Sequence, residues 1–314
     1  ADIIIYAMNY LFYMLVGYGF FLILKYFLLS EVDFFKLILK VSSLSSVLII
    51  LNIFPEFRQI YILFLQNEES IYFLQKGVRF SDLVIGGQST ASVIYSLFGL
   101  VALELHQRKH ITLFSTIIFF SLNTAAAIFM GRSIYLVFLI YLIFQFIIYR
   151  KLYFNFGIIG VVLLVYTVFY QTNLIPQSFL QRALEPILQF SNLGNIASVS
   201  DLSKMYFIPD NFFFGNGFLG RSFYFPSDVG YIRILNAYGI MGLLYYLPII
   251  YPLLFTNKTY LVKKNIAFYF LVLYAVIMLV FNFKELHLIV RIGTVLYFTS
   301  LFYALEAKKT QHAK

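Results

Sequence analysis

Uninterrupted apolar runs of about 20 residues recur along this chain, and they constrain its fold more than any other feature. A helix of roughly that length crosses the hydrocarbon core of a bilayer. The runs cover residues 3–24, 35–54, 83–103, 111–130, 133–149, 152–170, 229–255, 265–283 and 288–305. They lack the alternation over about ten residues that is typical of membrane β-barrels. The sequence therefore predicts an all-α, polytopic transmembrane helical bundle of about nine spans.

Composition supports the same fold class. Charged residues make up only 12% of the 314-residue chain, and hydrophobic residues make up 61%. Soluble globular domains carry about 25% charged residues. This difference favours a membrane protein over a soluble helical protein with buried helices. We expect a single transmembrane domain over 1–314, with two larger outer segments at 55–82 and 171–228.

The distribution of basic residues predicts the orientation, because lysine and arginine accumulate in cytoplasmic loops. If the C-terminal tail is inside and the spans alternate, thirteen basic and four acidic residues fall on the cytoplasmic side. That side then carries the whole net charge of +9, and the outer side holds ten basic and ten acidic residues. The positive charge therefore serves orientation and does not indicate nucleic-acid binding.

The outer basic residues are mostly arginine. Eleven of the thirteen inner residues are lysine, whereas seven of the ten outer residues are arginine. A guanidinium grips phosphate or carboxylate through two hydrogen bonds, which an ammonium cannot do. The group therefore favours an outer anion site, while snorkelling or pairing with acids remains the alternative for any single arginine. The outer arginines are Arg58, Arg79, Arg132, Arg182, Arg221, Arg233 and Arg291.

Several kinds of site are excluded or not indicated. The chain has no cysteine, which excludes disulfides, thiolate nucleophiles and cysteine metal sites. No spacing of histidine and acidic residues predicts a metal site. The letters of 215–220 fit a dinucleotide-binding fingerprint, but they lie in an outer loop without a strand and helix. We interpret that segment as a tight turn, and we expect neither a metal nor another cofactor.

Motifs late in the chain resemble a known family. Phe214-Gly215-Asn216-Gly217 is followed by Asp228-Val229-Gly230-Tyr231-Ile232-Arg233-Ile234-Leu235 and then by Gly239-Ile240-Met241-Gly242. This order resembles the last large outer loop and next helix of the O-antigen polymerases and ligases. Those proteins carry a glycine pair, an acid or histidine that starts a helix, and a Gly-x-x-Gly.

Earlier motifs resemble the same family. Gly131-Arg132-Ser133 is similar to its Ser-Arg turn at an outer helix junction, although glycine replaces the usual first serine. Arg79-Phe80, followed by Gly86-Gly87-Gln88-Ser89, is similar to its earlier outer arginine and helix start. The resemblance spans roughly residues 75–245. Members usually have more than nine helices, which fits a start that lacks upstream helices.

The resemblance implies a GT-C-like fold and a Wzy-type polymerase of the bacterial cytoplasmic (inner) membrane. Its substrates would be undecaprenyl-diphosphate-linked glycans presented among membrane lipids at the outer leaflet, facing the periplasm or exterior. Its product would be O-antigen, the polymer of lipopolysaccharide, or capsular polysaccharide. A chain-length regulator protein is the protein partner that such a polymerase would have.

The resemblance and the arginine pattern together suggest roles for individual residues. Asp228 is the first choice as the base that accepts the acceptor's proton, and Glu285 and His287 are the alternatives. Asp228 could instead be the N-cap of the following helix. Arg132 and Arg221 would stabilise the leaving diphosphate. The residues expected to bind the diphosphate are Arg79, Arg132, Arg221, Arg233 and Arg291.

Two alternative functions stay open. A lipid-linked oligosaccharide flippase would also bind diphosphate with arginines, but inverted or repeated halves are typical of transporters. We find no internal repeat, and the arginines concentrate on one side. An O-antigen ligase is the other alternative, and Asp228 stands where a ligase would carry its histidine.

Overall fold

The computed structural model describes residues 2–65, 68–76, 79–83, 88–149, 160, 205–206, 208, 211–217, 229–254, 265–283 and 291–312. Within these ranges every regular element is a helix, so the predicted all-α class is confirmed. The α-helices are α1 (Asp2–Tyr26), α2 (Glu31–Leu51), α3 (Pro55–Ile62), α4 (Glu68–Gln75), α5 (Gln88–Gln107), α6 (Leu113–Met130), α7 (Ser133–Tyr149), α8 (Gly230–Tyr238), α9 (Leu247–Leu254), α10 (Ile266–Phe281) and α11 (Arg291–His312). A 3-10 helix, Gly239–Tyr246, joins α8 to α9.

Several helices are long and apolar enough to cross a membrane, which indicates a membrane protein. Four segments meet that condition: Met8–Tyr26, Glu31–Leu51, Ser89–Gln107 and Leu113–Met130. A fifth span is present if Gly230–Leu244 and Leu247–Leu254 together form one broken span. The described residues thus give four or five spans rather than nine. The predicted run at 152–170 lies outside them, apart from Gly160.

Polar side chains cap the N-termini of three of the helices. Ser30 caps α2 through a capping box, in which its Oγ accepts from the Asp33 amide and the Asp33 carboxylate accepts from the Ser30 amide. Thr112 caps α6, and Asn265 caps α10. These caps satisfy amide groups that have no partner within the helix. They lie just outside the apolar segments, where the chain has to stop and turn.

The chain divides into two compact units. One is Leu29–Leu188, here called the α5 unit after its most buried helix. The other combines Ala1–Leu28 with Gln189–Lys314, and is here called the α10 unit.

The α5 unit packs its helices closely through small and polar residues. At Gly99 of α5 an added Cβ would lie 3.3 Å from Thr124 Oγ1 and 3.4 Å from the Phe120 ring. On α6, Asn123 Nδ2 donates to Ser43 Oγ of α2 at 3.1 Å. Such close approaches and interhelical hydrogen bonds hold membrane helices together where lipid is as apolar as the helix surfaces.

In the α10 unit, α1 and α11 run parallel. The Thr299 hydroxyl donates to Gly17 O at 3.2 Å, and Lys25 Nζ lies 2.9 Å from Glu306 Oε1. The partner numbers rise together along both helices, as parallel packing requires. A Cβ at Gly17 would lie 2.8 Å from Phe298 Cβ, so this close approach depends on glycine.

The predicted run at 229–255 is not one continuous helix, and it is a single span only if Gly230–Leu244 and Leu247–Leu254 form one broken span. The chain doubles back at Gly239, so that α8 and the 3-10 helix form a hairpin. The rings of Tyr231 and Tyr246 stack with centroids 5.0 Å apart. In a straight α-helix these residues would be separated by about 22 Å. Leu247–Leu254 then continues at an angle of 42° to the preceding helical segment.

Candidate functional site

Arg79 and Arg132 belong to segments that meet at one end of the α5 unit. The Phe80 amide donates to Phe129 O, near the end of α6, at 3.1 Å. The two phenylalanine rings also contact each other, with centroids 4.9 Å apart. Arg79 directly precedes this contact, and Arg132 follows it by three residues. We call this end, which also carries Arg58, the arginine end.

Arg58 has a structural role. Its Nε donates to Asn52 O at 3.0 Å, and its guanidinium also reaches Ile53 O at 3.5 Å. These carbonyls follow the last residue of α2, where a cation is favoured by the helix dipole. Burial lowers the pKa of Arg58 from its usual value. Of the outer arginines, this one is therefore assigned to holding α2 and α3 together.

Arg79 is half-buried and held against an aromatic ring. Its guanidinium carbon lies 5.4 Å from the centroid of Phe73, on α4, in a cation–π arrangement. Its backbone amide also donates to Phe73 O at 3.5 Å. Contacts of this kind limit the directions that a long side chain can take. They therefore restrict the orientation of the Arg79 side chain at the arginine end.

Three serine hydroxyls fix the turn that carries Arg132. Ser92 Oγ on α5 reaches Ala127 O at 2.8 Å and Gly131 O at 3.0 Å. Ser89 and Ser133 share a hydrogen bond of 2.8 Å between their hydroxyls. The half-buried Arg132 thus stands on a turn that is tied to the first residues of α5. The structural role of the Gly131-Arg132-Ser133 motif is thus to form a turn that is hydrogen-bonded to α5.

A buried acid at the arginine end escaped the sequence analysis. Asp82 is only 4% exposed. Its Oδ2 accepts a hydrogen bond of 2.6 Å from the Tyr95 hydroxyl and one of 3.1 Å from Ser45 Oγ. The available signal was an acid three residues after Arg79, just before the predicted run 83–103. The sequence places it at the end of the expected outer segment 55–82.

Tyr61 also lies close to Asp82. Its hydroxyl donates to Ser81 O at 2.9 Å. Burial raises the pKa of Tyr61, and the negative charge of Asp82 raises it further. Tyr61 therefore stays a neutral hydrogen-bond donor. Tyr95 lies seven residues after the first residue of α5, so its Cα is about 10 Å along the helix axis from that residue.

The opposite end of the α5 unit has a different chemistry. Glu104 is fully buried, with Arg108 Nε 2.7 Å from its Oε1 and Gln145 Nε2 3.4 Å from its Oε2. Burial lowers the pKa of His110 there, and the nearby charges of Lys36 and Arg108 lower it further. Lys36 and Arg108 are thus separated from Arg79 and Arg132 by the length of the helices.

In the α10 unit, two of the motifs that resemble the O-antigen family pack against each other. Backbone hydrogen bonds join the loop 211–217 to the tip of the α8 hairpin. The donor–acceptor pairs are Asn216 N to Asn236 O (2.6 Å), Gly217 N to Ala237 O (2.9 Å) and Ile240 N to Phe212 O (2.9 Å). We call this contact the glycine lock, because it depends on Gly215 and Gly239.

Both glycines of the lock are required by geometry. Gly215 has φ +72° and Gly239 has φ +60°, a region that other residues rarely adopt. A Cβ at Gly239 would lie 2.1 Å from Phe213 O, and one at Gly215 would lie 2.5 Å from Ala237 C. Neither position can carry a side chain without moving the backbone. The tight turn expected at 215–220 lies only in part within the described residues, where Gly215 follows a turn over 211–214.

The remaining site candidates belong to the α10 unit. Arg233 is half-buried on α8, and Arg291 is the first residue of α11. Asp228, Arg221, Glu285 and His287 lie outside the described residues, as does most of the expected outer segment 171–228. The N-cap of α8 is Val229, so the cap position considered for Asp228 falls on its neighbour. The structure thus groups Arg79 with Arg132, and gives Arg233 and Arg291 to the other unit.

Among the residues that the structure describes, no group of three or more histidine, cysteine or acidic side chains could hold a metal ion. Comparison with protein-family models, with curated proteins and with solved structures finds no match for this chain.

Proposed function

We propose that this protein is a glycosyltransferase of the O-antigen polymerase type, with a GT-C-like arrangement of helices. It would join undecaprenyl-diphosphate-linked oligosaccharide repeat units into O-antigen or capsular polysaccharide at the outer face of the bacterial cytoplasmic membrane. The observation that carries the proposal is the Phe80–Phe129 hydrogen bond of 3.1 Å. It brings two arginine-bearing segments, distant in sequence, to one end of a helical unit.

The proposed reaction exchanges one bond for another. The acceptor hydroxyl oxygen attacks the anomeric carbon of the donor glycan, and the bond from that carbon to the diphosphate oxygen breaks. The proton of the hydroxyl passes to Asp228, or to Glu285 or His287. The electron pair leaves with the undecaprenyl diphosphate. Arginine side chains oppose the charge that develops on this leaving group.

Two arginines of the α5 unit suit that task for different reasons. Arg79 is half-buried and held by Phe73, and Arg132 stands on a turn fixed by serine hydroxyls. Preorganised donors stabilise developing charge better than mobile ones, because they need no reorganisation during the reaction. Arg221, Arg233 and Arg291 are the other residues that we propose for binding diphosphate.

The helix directions support the expected orientation. The parallel packing of α1 and α11 brings Lys25 and Glu306 to the same end, where both are expected to face the cytoplasm. In the α5 unit, Arg79 and Arg132 lie at one end and Lys36 and Arg108 at the other. An outer anion site and a cytoplasmic basic anchor fit this separation.

The test is polymerisation by the purified protein in liposomes that contain undecaprenyl-diphosphate-linked repeat units and no nucleotide sugar. We expect a ladder of lengthened lipid-linked glycans, both with and without a chelator of divalent cations. Asp228→Asn should leave the protein folded and stop the ladder, because the amide keeps the shape but lacks basicity. Glu285→Gln and His287→Asn would identify the base if Asp228→Asn remains active.

Other outcomes point to the alternatives. Movement of the lipid-linked unit across the bilayer without lengthening would identify a flippase. Transfer of a preformed glycan only to a lipid A-core acceptor would identify a ligase. Arg58→Lys is the matched control, because Arg58 lies at the same end but holds α2. Its ladder should resemble that of the unaltered protein.

A further inference from the structure

The carboxylate of Asp82 lies where an acid is costly. It is 4% exposed, and its Oδ2 accepts hydrogen bonds from side chains of α2 and α5. Burying a carboxylate away from water is costly unless hydrogen bonds offset its desolvation. The Tyr95 and Ser45 hydroxyls both donate to its Oδ2, and the Tyr95 hydroxyl lies 2.6 Å from Ser45 Oγ. Asp82 thus joins α2 to α5.

Asp82 is also one end of a short strap that begins at Arg79. The middle of the strap is fastened by the Phe80 amide to α6, and Ser81 O accepts from Tyr61 on α3. Phe80 and Ser81 are both fully buried. The Asp82 carboxylate supplies the fastening to α2 and α5. The only half-exposed member of this strap is the arginine.

We infer that Asp82 is a positioning residue, which fixes the strap 79–82 so that the Arg79 guanidinium meets the diphosphate of the lipid-linked glycan. This inference rests on the proposed function for the identity of the anion. Asp82 acts through Arg79 and does not itself contact the substrate, because its side chain is buried. Its side chain contributes one oxygen atom that accepts hydrogen bonds from two hydroxyl groups.

The inference predicts an order among substitutions. Asp82→Asn keeps a carbonyl oxygen for Tyr95 and Ser45, so we expect KM for the lipid-linked donor to rise only about threefold. Asp82→Ala removes the acceptor and should raise that KM about tenfold or more, with a smaller change in kcat. A base would behave differently, because Asp82→Asn would then abolish kcat as fully as Asp82→Ala. That result would overturn the positioning role.

A second measurement does not depend on activity. The chain lacks cysteine, so Arg79→Cys gives a single thiol whose reaction rate with a water-soluble thiol reagent reports its surroundings. Adding Asp82→Ala should change that rate about fivefold or more, because thiol reactivity follows access and local charge. Asp82→Asn should change it much less. Ser46→Ala, one residue from Ser45 on α2, is the matched control and should leave it unchanged.

The outcomes separate the two proposals. If Asp82→Ala does not fold, Tyr95→Phe removes one donor to the carboxylate and takes its place in the thiol measurement. An unchanged rate in the folded variant overturns the positioning role, whatever the protein's activity. If the unaltered protein makes no polymer, the proposed function fails, while the thiol rates still show whether Asp82 fixes the strap.

Discussion

The Tyr95 hydroxyl donates a 2.6 Å hydrogen bond to Oδ2 of Asp82, across 13 positions in sequence. This bond ties the segment before α5 to the helix itself. Tyr95→Phe would leave the buried carboxylate with one donor fewer, at a cost of about 1–3 kcal/mol of stability. Thermal unfolding in detergent checks this. Tyr26→Phe, at a residue 82% exposed, should change stability by less than about 0.5 kcal/mol. Equal effects of the two changes would show that the bond is unimportant.

Lysine should replace Arg79 and Arg132 poorly. An ammonium supplies a point charge but not two aligned donors. We expect Arg→Ala at either position, and at Arg221, to cost about 2–4 kcal/mol of transition-state stabilisation, with Arg→Lys recovering little of it. Polymer formation at matched protein levels measures the effect. Full activity of the lysine variants at all three positions would contradict an arginine clamp.

Gly239→Ala should destabilise the α10 unit. The added Cβ would meet Phe213 O at 2.1 Å, and φ of +60° is strained for alanine. Strain and overpacking together suggest a loss of about 2–5 kcal/mol. Gly19→Ala is the matched control, because nothing lies within 4 Å of a Cβ there. The fraction of monodisperse protein after heating in detergent compares the two, and similar curves would mean that the glycine lock does not form.

The expected topology can be tested with single cysteines. Glu56→Cys lies on α3 in the expected outer segment, and His110→Cys lies between α5 and α6 in the expected inner segment 104–110. An impermeant thiol reagent applied to intact cells should label the first and not the second. The same comparison applies to Asn195→Cys, expected outside, and Lys258→Cys, expected inside. The reverse pattern would invert the orientation and place the arginine end in the cytoplasm.

His110 should make stability depend on pH. Burial, with the nearby charges of Lys36 and Arg108, lowers its pKa from 6.5. The folded chain therefore binds a proton less readily than the unfolded chain. This contribution is fully present above about pH 6.5 and is lost as the pH falls. The fall in unfolding temperature between about pH 7.5 and pH 5.5 should be smaller in His110→Gln. If an NMR titration of the folded protein gave His110 a pKa above 6.5, this explanation would be contradicted.

Some elements could be predicted from the sequence because hydropathy alone determines them. α2 and α6 overlap most of the predicted runs 35–54 and 111–130, and their N-caps are Ser30 and Thr112. The hairpin at Gly239 could not be found this way, because the apolar run continues through the turn and conceals it. The positive φ of that glycine and the stacking of Tyr231 on Tyr246 reveal the reversal.

The site shows the same division. The arginines could be selected from the sequence because their number, and the side of the membrane expected for them, come from counting basic residues. Asp82 could not be selected, since Ser45 and Tyr95 come from two different helices and only the fold joins them. Arg58 is one of the outer arginines that as a group predict an anion site, because a sequence does not show which arginines contact helix ends. Arg58 instead donates hydrogen bonds to the carbonyls of Asn52 and Ile53.

During synthesis, α1 is complete long before α11, the helix against which it packs. Thr299 and Gly17, which meet through a hydrogen bond, are 282 residues apart. At translation rates of about 5–20 residues per second, the partner surface for α1 emerges roughly 14 to 56 seconds after α1 itself. Through that interval Gly17 faces lipid or an insertion factor instead of α11. The hydrogen bond to Gly17 and the close approach at that glycine can therefore form only after α11 has been synthesised.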